Sequence, residues 1–332
     1  MHVMPGLELT TGRPGPEHHW EAMEFERRVP RASVHKTVDA EVLLTDARRL
    51  GADRFAVAAR WDRDHYLAHY GGPAADPVML AETTRQTAIH LSHRFLDVPY
   101  GMPFVLSEAS VDLSETLPPV GSGYLGVGLD VICRRPAEGA RRLRLELEAD
   151  VLVRHRSIGR TRLCWEPVEP RRYAALRRRG GGRAPLVAPQ PEPPRVPLAP
   201  AAVGQRAERD VLIAADPMRA NAWWLRLDRD HPVLFDHEAD HVPGMALIEA
   251  FRQAGRVAAA DRRAGASGVT LLGVTFTAFG ELDAPVAITA EPTGLALGVF
   301  TLRAHQGERE LAHATVRCRT AEPTRTLLGT AC

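Results

Sequence analysis

The stretch HPVLFDHEADHVPGMALIEAFRQAG, residues 231–255, decides the fold. A turn rich in His and Asp runs through Pro243-Gly244 into an apolar segment. Proline fits the first helical turn, where its missing N–H costs no bond, and apolar residues then recur at steps of three and four without a breaker. A helix is therefore predicted over 243–263. Just before the turn stands Asp228-Arg229-Asp230-His231, and the same tetrapeptide occurs earlier as Asp62-Arg63-Asp64-His65. The match extends outward from both copies. EVLLTDARRLGADRFAVAARWDRDH (41–65) lies over DVLIAADPMRANAWWLRLDRDH (210–231), each reading as strand, turn, strand. PVMLAETTRQTAIHLSHRF (77–95) lies over 243–263, with Pro77-Val78 set against Pro243-Gly244. The chain carries two copies of one unit.

Each unit continues in β-rich runs punctuated by Gly and Pro: 103–113, 123–135 and 141–168 in the first, 268–282, 285–306 and 309–320 in the second. The organisation expected is an N-terminal extension over 1–30, a first repeat over 31–176, a Pro/Gly/Arg-rich linker over 177–209 and a second repeat over 210–332. Two strands, a long helix and further antiparallel strands make an α+β unit whose sheet wraps a central helix. Tandem copies should pair as a homodimer would, with a pseudo-two-fold axis and the helices side by side. The expected assembly is a monomer with pseudo-dimeric repeats or a homodimer.

At 332 residues the chain is long enough for two domains. A net charge of +1 gives no basic field for nucleic acid. No apolar run approaches the roughly 20 residues that span a bilayer, and the N-terminus lacks a signal-peptide apolar region, so no membrane partner and a cytoplasmic location are expected. Cys133, Cys164, Cys318 and Cys332 are scattered without a C-x-x-C pair and read as buried thiols. Lys36 is the sole lysine, and Schiff-base chemistry resting on it alone is set aside. HEADH lacks zincin spacing, so no metal is expected. Nothing in the sequence asks for a cofactor.

The turn 231–255 is similar to the active-site segment of the β-hydroxyacyl carrier-protein dehydratases, in which a His-bearing loop leads through Pro-Gly into a helix with an acidic residue. That resemblance implies the hot-dog fold, here a tandem or double one. The loop between His237 and Pro243 is shorter than in that family, and the first copy has Pro77-Val78 in place of Pro-Gly. VHKTVDAEVLLTD (34–46), HYGGPAADPVMLAETTRQTAIHLSHRFLDVPYG (69–101) and DHPVLFDHEADHVPGMALIEAFRQA (230–254) together resemble the A-factor biosynthesis family of γ-butyrolactone autoregulator synthesis. The resemblance implies an acyltransferase that moves a β-ketoacyl group from acyl carrier protein to the hydroxyl of dihydroxyacetone phosphate. Relatives make furan or butenolide signals. Other uses of the fold are a non-catalytic acyl- or lactone-binding regulator and a thioesterase or dehydratase.

Each copy contains Glu-x-x-Arg-Gln: Glu82, Arg85 and Gln86, then Glu249, Arg252 and Gln253. Residues three apart share a helix face. An intrahelical surface ion pair is the bland reading, but recurrence on an apolar helix favours a site, since buried charge is costly unless paired or used. A desolvated glutamate suits a general base, and an arginine fork suits a phosphate. Backbone N–H groups at Gly244 could meet a thioester carbonyl. Glu249 and Arg252 are preferred to Glu82 and Arg85 because only the second copy has Pro-Gly. Gln253 and Gln86 are expected to bind substrate, as are His237, His241 and His69, which stand near the place of the dehydratase histidine. His65 and His231 read as structural loop residues. An arginine rim at Arg141, Arg142 and Arg144, or at Arg177 to Arg179, is the candidate contact for an acidic carrier protein.

Overall fold

The computed structural model describes residues 18–67, 75–136, 142–180, 196–261, 266–294, 296 and 298–320. In chain order the first half holds a short helix α1 (His18–Glu21), strands β1 (Leu44–Arg49) and β2 (Arg54–Trp61), helix α2 (Pro77–Phe95), and strands β3 (Phe104–Leu113), β4 (Leu125–Arg134), β5 (Leu145–Val153) and β6 (Arg156–Pro167). Helix α3 (Pro170–Gly180) and the short α4 (Pro200–Val203) follow. The second half holds β7 (Ile213–Ala215), β8 (Ala222–Leu225), α5 (Gly244–Asp261), β9 (Ala266–Phe276), β10 (Ala287–Pro292), β11 (Val299–Gln306) and β12 (Arg309–Thr320).

All twelve strands join one sheet in the order β1-β2-β4-β5-β6-β3-β9-β12-β11-β10-β8-β7, with every pairing antiparallel. Read outward from the β3–β9 seam, the two sides list corresponding strands in the same order, which is the signature of a pseudo-two-fold axis. The seam runs from Glu108 opposite Thr275 to Asp112 opposite Leu271. β3 and β9, each an edge strand in a lone unit, pair with one another across the seam, while β1 and β7 stay at the two ends of the sheet. Each half-sheet wraps its own helix, and α2 touches α5. This is a tandem hot-dog fold.

The two central helices satisfy burial differently. α5 is lined by Ala, Leu, Ile and Phe, with Phe251 fully buried; such a side chain contributes about 1.5–3 kcal/mol. α2 carries buried Thr83, Thr84, Thr87 and Ser92, whose hydroxyls donate back to the carbonyls of Met79, Leu80, Thr83 and Ala88. Those bonds remove the penalty for burying hydroxyls. Trp61 and Trp165 then donate their indole N–H groups to Thr83 and Ser92, tying β2 and β6 to the helix. α5 also lies very close to β12: a Cβ on Gly255 would stand 2.7 Å from Val316 Cγ1.

The helix starts correct one sequence pairing. α2 begins at Pro77, capped by Asp76, while α5 begins at Gly244, and Glu82 and Glu249 each lie five residues on. Pro77 therefore matches Gly244, and Asp76 matches Pro243. Residues 18–30 lie over the outer face of the sheet, where Gly128 and Gly126 leave room for the rings of Trp20 and Phe25. Met23 packs there on Ala56 and Ala58. In the span 177–209, α3 runs on to residue 180, and Val203 and Gln205 are buried.

Candidate active site

Each Glu-x-x-Arg-Gln triplet points into a buried cluster that ties its helix to the segment preceding its first strand. Glu249 accepts from Arg252 Nη2 at 2.6 Å, Gln253 Nε2 at 2.7 Å and Gln205 Nε2 at 2.9 Å on Oε1, and from Arg252 Nε at 2.8 Å on Oε2. Gln253 also donates to the Asp210 carbonyl and accepts from the Leu212 N–H. The first half repeats the pattern. Glu82 accepts from Arg85 Nε and Nη2, both at 2.8 Å, and from Gln86 Nε2 at 2.9 Å, with Lys36 Nζ 3.3 Å away. Gln86 bridges the Glu41 carbonyl and the Leu43 N–H. The glutamines thus fasten each central helix to the chain entering its sheet.

A carboxylate offers about four lone-pair sites. Glu249 takes three bonds on Oε1 and one on Oε2, and Glu82 takes two bonds and the Lys36 contact on Oε1 and one bond on Oε2. Burial alone would raise the Glu82 pKa. The charges of Arg85 and Lys36 and the bonds from Arg85 and Gln86 overcome it and hold this carboxyl well below the usual carboxylate range. Glu82 is thereby held ionised between its cations.

Each cluster borrows an acid from the other half. Asp76, the cap of α2, reaches across to Arg252, with Oδ2 3.6 Å from Nε and 3.9 Å from His65 Nδ1. Its Oδ1 accepts from the Val78 N–H, Oδ2 has no hydrogen bond among the described residues, and burial pushes its pKa up. Reciprocally, Asp236 of the second half stands 3.8 Å from Lys36 Nζ and accepts from the Thr37 N–H at 3.2 Å. Asp236 Oδ1 is also 2.6 Å from His237 Nδ1. His35, in left-handed backbone at φ 54°, lies beside them with Nε2 2.9 Å from His93 Nε2. Burial first, then the neighbouring His93, Arg85 and His237, lower its pKa to about 4.

The remaining expected residues fall as follows. His69 lies outside the described residues. His241 belongs to another network: it bonds Asp240 at 2.6 Å, Asp240 accepts from Tyr173 of α3, and its ring meets Phe279 edge-on. Gly244 opens α5 against the ring of Phe276, near Leu106 at the seam. Arg177 is engaged by Asp240 and Glu281, and Arg144 by Glu108; Arg142 is exposed, and Arg141 lies outside the described residues. Cys133 and Cys318 are buried, their thiols pushed up to about 12 and about 11 by desolvation.

The two DRDH segments play unequal parts. In the first, Arg63 is buried and grips both oxygens of Glu41, at 2.7 and 2.6 Å. In the second, Arg229 and Asp230 are exposed, and His231 takes over, with Nε2 3.2 Å from Asp210 Oδ1. Asp210 holds the place of Glu41, five residues after Gln205 as Glu41 is five after Lys36. Lys36, Gln205, Asp76 and Asp236 are the site residues that the sequence did not single out. Alignment of the repeats could have paired the first two, because Lys36 and Gln205 stand five residues before Glu41 and Asp210.

A tandem hot-dog protein with a Glu–Arg–Gln cluster buried in each half is the class that fold and site define. The chain belongs to the A-factor biosynthesis hotdog domain family, whose model matches residues 19–169 and 187–322. It is 36% identical over 266 residues to a 2-oxo-3-(phosphooxy)propyl 3-oxoalkanoate synthase of Streptomyces virginiae, covering 80% of this chain and 87% of the relative. A protein of the same name from Streptomyces coelicolor is 32% identical, over 83% of this chain and 86% of the relative. A solved acyl-ACP thioesterase from Bacteroides thetaiotaomicron aligns at 12% identity with a TM-score of 0.46, over 80% of this chain and 98% of that one. Among the described residues no helix is long and apolar enough to cross a membrane.

Proposed function

We propose that this chain is an acyltransferase that esterifies dihydroxyacetone phosphate with a β-ketoacyl group, in the synthesis of a γ-butyrolactone-type signal. The observation that carries the reading is 36% identity, over 80% of the chain, to a relative named for that ester. The ester joins a 3-oxoalkanoate to a hydroxyl three carbons long that bears a phosphate. Its formation needs an activated acyl donor, a base for the hydroxyl and a holder for the phosphate. The donor is a carrier-protein thioester.

Within this reading Glu82 and Glu249 do not take the hydroxyl proton. They fix Arg85 and Arg252 in bidentate geometry, with both oxygens of each carboxylate engaged by the guanidinium. Arg85 and Arg252 are then the preorganised cations, and Gln86 and Gln253 position the helices. The test is release of carrier thiol from purified protein and β-ketoacyl carrier protein, with and without dihydroxyacetone phosphate. Release that depends on the acceptor supports acyl transfer. Equal release without acceptor marks a thioesterase, and no release with retained acyl binding marks a regulator.

A further inference from the structure

The two clusters differ in what they leave open. Arg252 is 7% exposed, spends Nε and Nη2 on Glu249, bonds the Val203 carbonyl through Nη2 and faces Asp76. The position matching Lys36 is the neutral Gln205, and the one matching His35 is Gly204, against which Arg256 packs. That cluster is closed. Arg85 is 20% exposed and gives Nε and Nη2 to Glu82, leaving Nη1 without a partner among the described residues. Lys36, its side chain only 3% exposed, adds a second cation 3.3 Å from the same glutamate and acts through its charge behind Arg85. At the rim stands His237, 49% exposed, while the Asp236 side chain behind it is only 1% exposed.

We infer that the first cluster is the acceptor cleft, in which Arg85, with the charge of Lys36 behind it, holds the phosphate of a small phosphate ester and His237 takes the proton of its hydroxyl. The inference rests on the acyl-transfer reading and adds the site and the base. Asp236 accepts the Nδ1 proton, which leaves the lone pair on Nε2 pointing away from the carboxylate. Burial would raise the Asp236 pKa, but the bond from His237 and the charge of Lys36 lower it, so the carboxylate stays ionised and keeps that tautomer. Asp240 and His241 form a like pair, but Asp240 is 55% exposed and already serves Tyr173 and Arg177.

In the step proposed, His237 Nε2 removes the hydroxyl proton as that oxygen bonds to the thioester carbonyl carbon. The tetrahedral intermediate then expels the carrier thiolate as the C–S bond breaks. The thiolate recovers the proton from His237, so ester and thiol are the only products. The cleft is assembled from both halves: Lys36 and Arg85 come from the first, Asp236 and His237 from the second.

The experiment measures dihydroxyacetone phosphate binding by calorimetry, and turnover separately. Lys36→Gln copies the second half, where Gln205 already donates to Glu249. It should weaken binding about threefold to tenfold, the worth of a neighbouring buried charge, with Lys36→Arg restoring most of the affinity. His237→Gln should lower kcat by about 10²–10⁴-fold while binding is kept. Unchanged affinity in Lys36→Gln, or near wild-type turnover in His237→Gln, would overturn the assignment. If the acceptor binds and Lys36→Gln weakens it while no ester ever forms, the acyl-transfer reading fails and the anion cleft stands. Normal ester formation by both variants would remove the cleft alone.

Discussion

Replacing Glu249 by Gln separates an anchoring carboxylate from a basic one. The substitution keeps the shape and one acceptor oxygen. Glu249 accepts on both oxygens from Arg252, and Oε1 also accepts from Gln205 and Gln253. The new amide must set a donor against a donor, either Arg252 Nε or the trio at Oε1. Arg252 would then be a buried cation without its bidentate partner, a loss of about 3–5 kcal/mol. Asp76, 3.6 Å from Arg252 Nε, offsets part of this, so we expect a loss of about 2–4 kcal/mol. Urea unfolding followed by tryptophan fluorescence reads it as a lower midpoint at an unchanged slope. A general base makes the opposite forecast, with turnover lost and folding intact. A midpoint equal to wild type alongside a hundredfold drop in kcat would refute the anchoring argument.

Two further outcomes follow from the packing and the buried histidines. A Cβ on Gly128 would stand 2.7 Å from the Trp20 ring, so Gly128→Val should cost about 1–3 kcal/mol and expose residues 18–30 to limited proteolysis, which Gly123→Val should not. His90 bonds Ser33 Oγ, and burial first, then Arg94 and His93 against an opposing Asp46, lowers its pKa to about 4. The unfolded chain binds this proton from about pH 6.5 downward and the folded chain does not, so His90 should add about 1.4 kcal/mol per unit to the loss of stability between pH 6.5 and 4, beside a like contribution from His35. His90→Gln should flatten that part of the pH–stability curve; an unaltered slope would count against the burial argument.

The repeat was legible because it rests on local periodicity: alternation in the strands, three- and four-residue steps in the helices, and the recurrence of Glu-x-x-Arg-Gln. Those features name the helix face that each half turns inward. What the helix face meets was not legible, because its partners come from far away in the chain. Thr37 bonds Asp236 across 199 positions, and Asp76 reaches Arg252 from the other half. Lys36 looked like an isolated cation, yet folding buries it against Glu82. Gln205 sits in a Pro-, Gly- and Ala-rich stretch that composition marks as connector, and it donates to the buried Glu249. The DRDH repeat shows the limit of identity: Arg63 grips Glu41 in one half, and His231 serves Asp210 in the other. Identical tetrapeptides acquire different roles once the flanking loops differ in length.

The charge balance around Glu82 was equally hidden from the sequence. A glutamate on an apolar helix reads as a base whose pKa rises with burial, but at Glu82 two cations and the amide of Gln86 reverse that direction. Neither cation count nor tautomer can be seen in the spacing. The Asp236–His237 pair was present in the sequence as adjacent letters, and only the burial of one member distinguishes it from Asp240–His241.

The measurement that bears most directly on acyl transfer is the mass of the product formed from β-ketoacyl carrier protein and dihydroxyacetone phosphate. Transfer predicts a phosphorylated ester whose mass equals the β-keto acid plus dihydroxyacetone phosphate less one water, with free carrier thiol in equal amount. Free β-keto acid as the sole product, formed at the same rate without the acceptor, would contradict it.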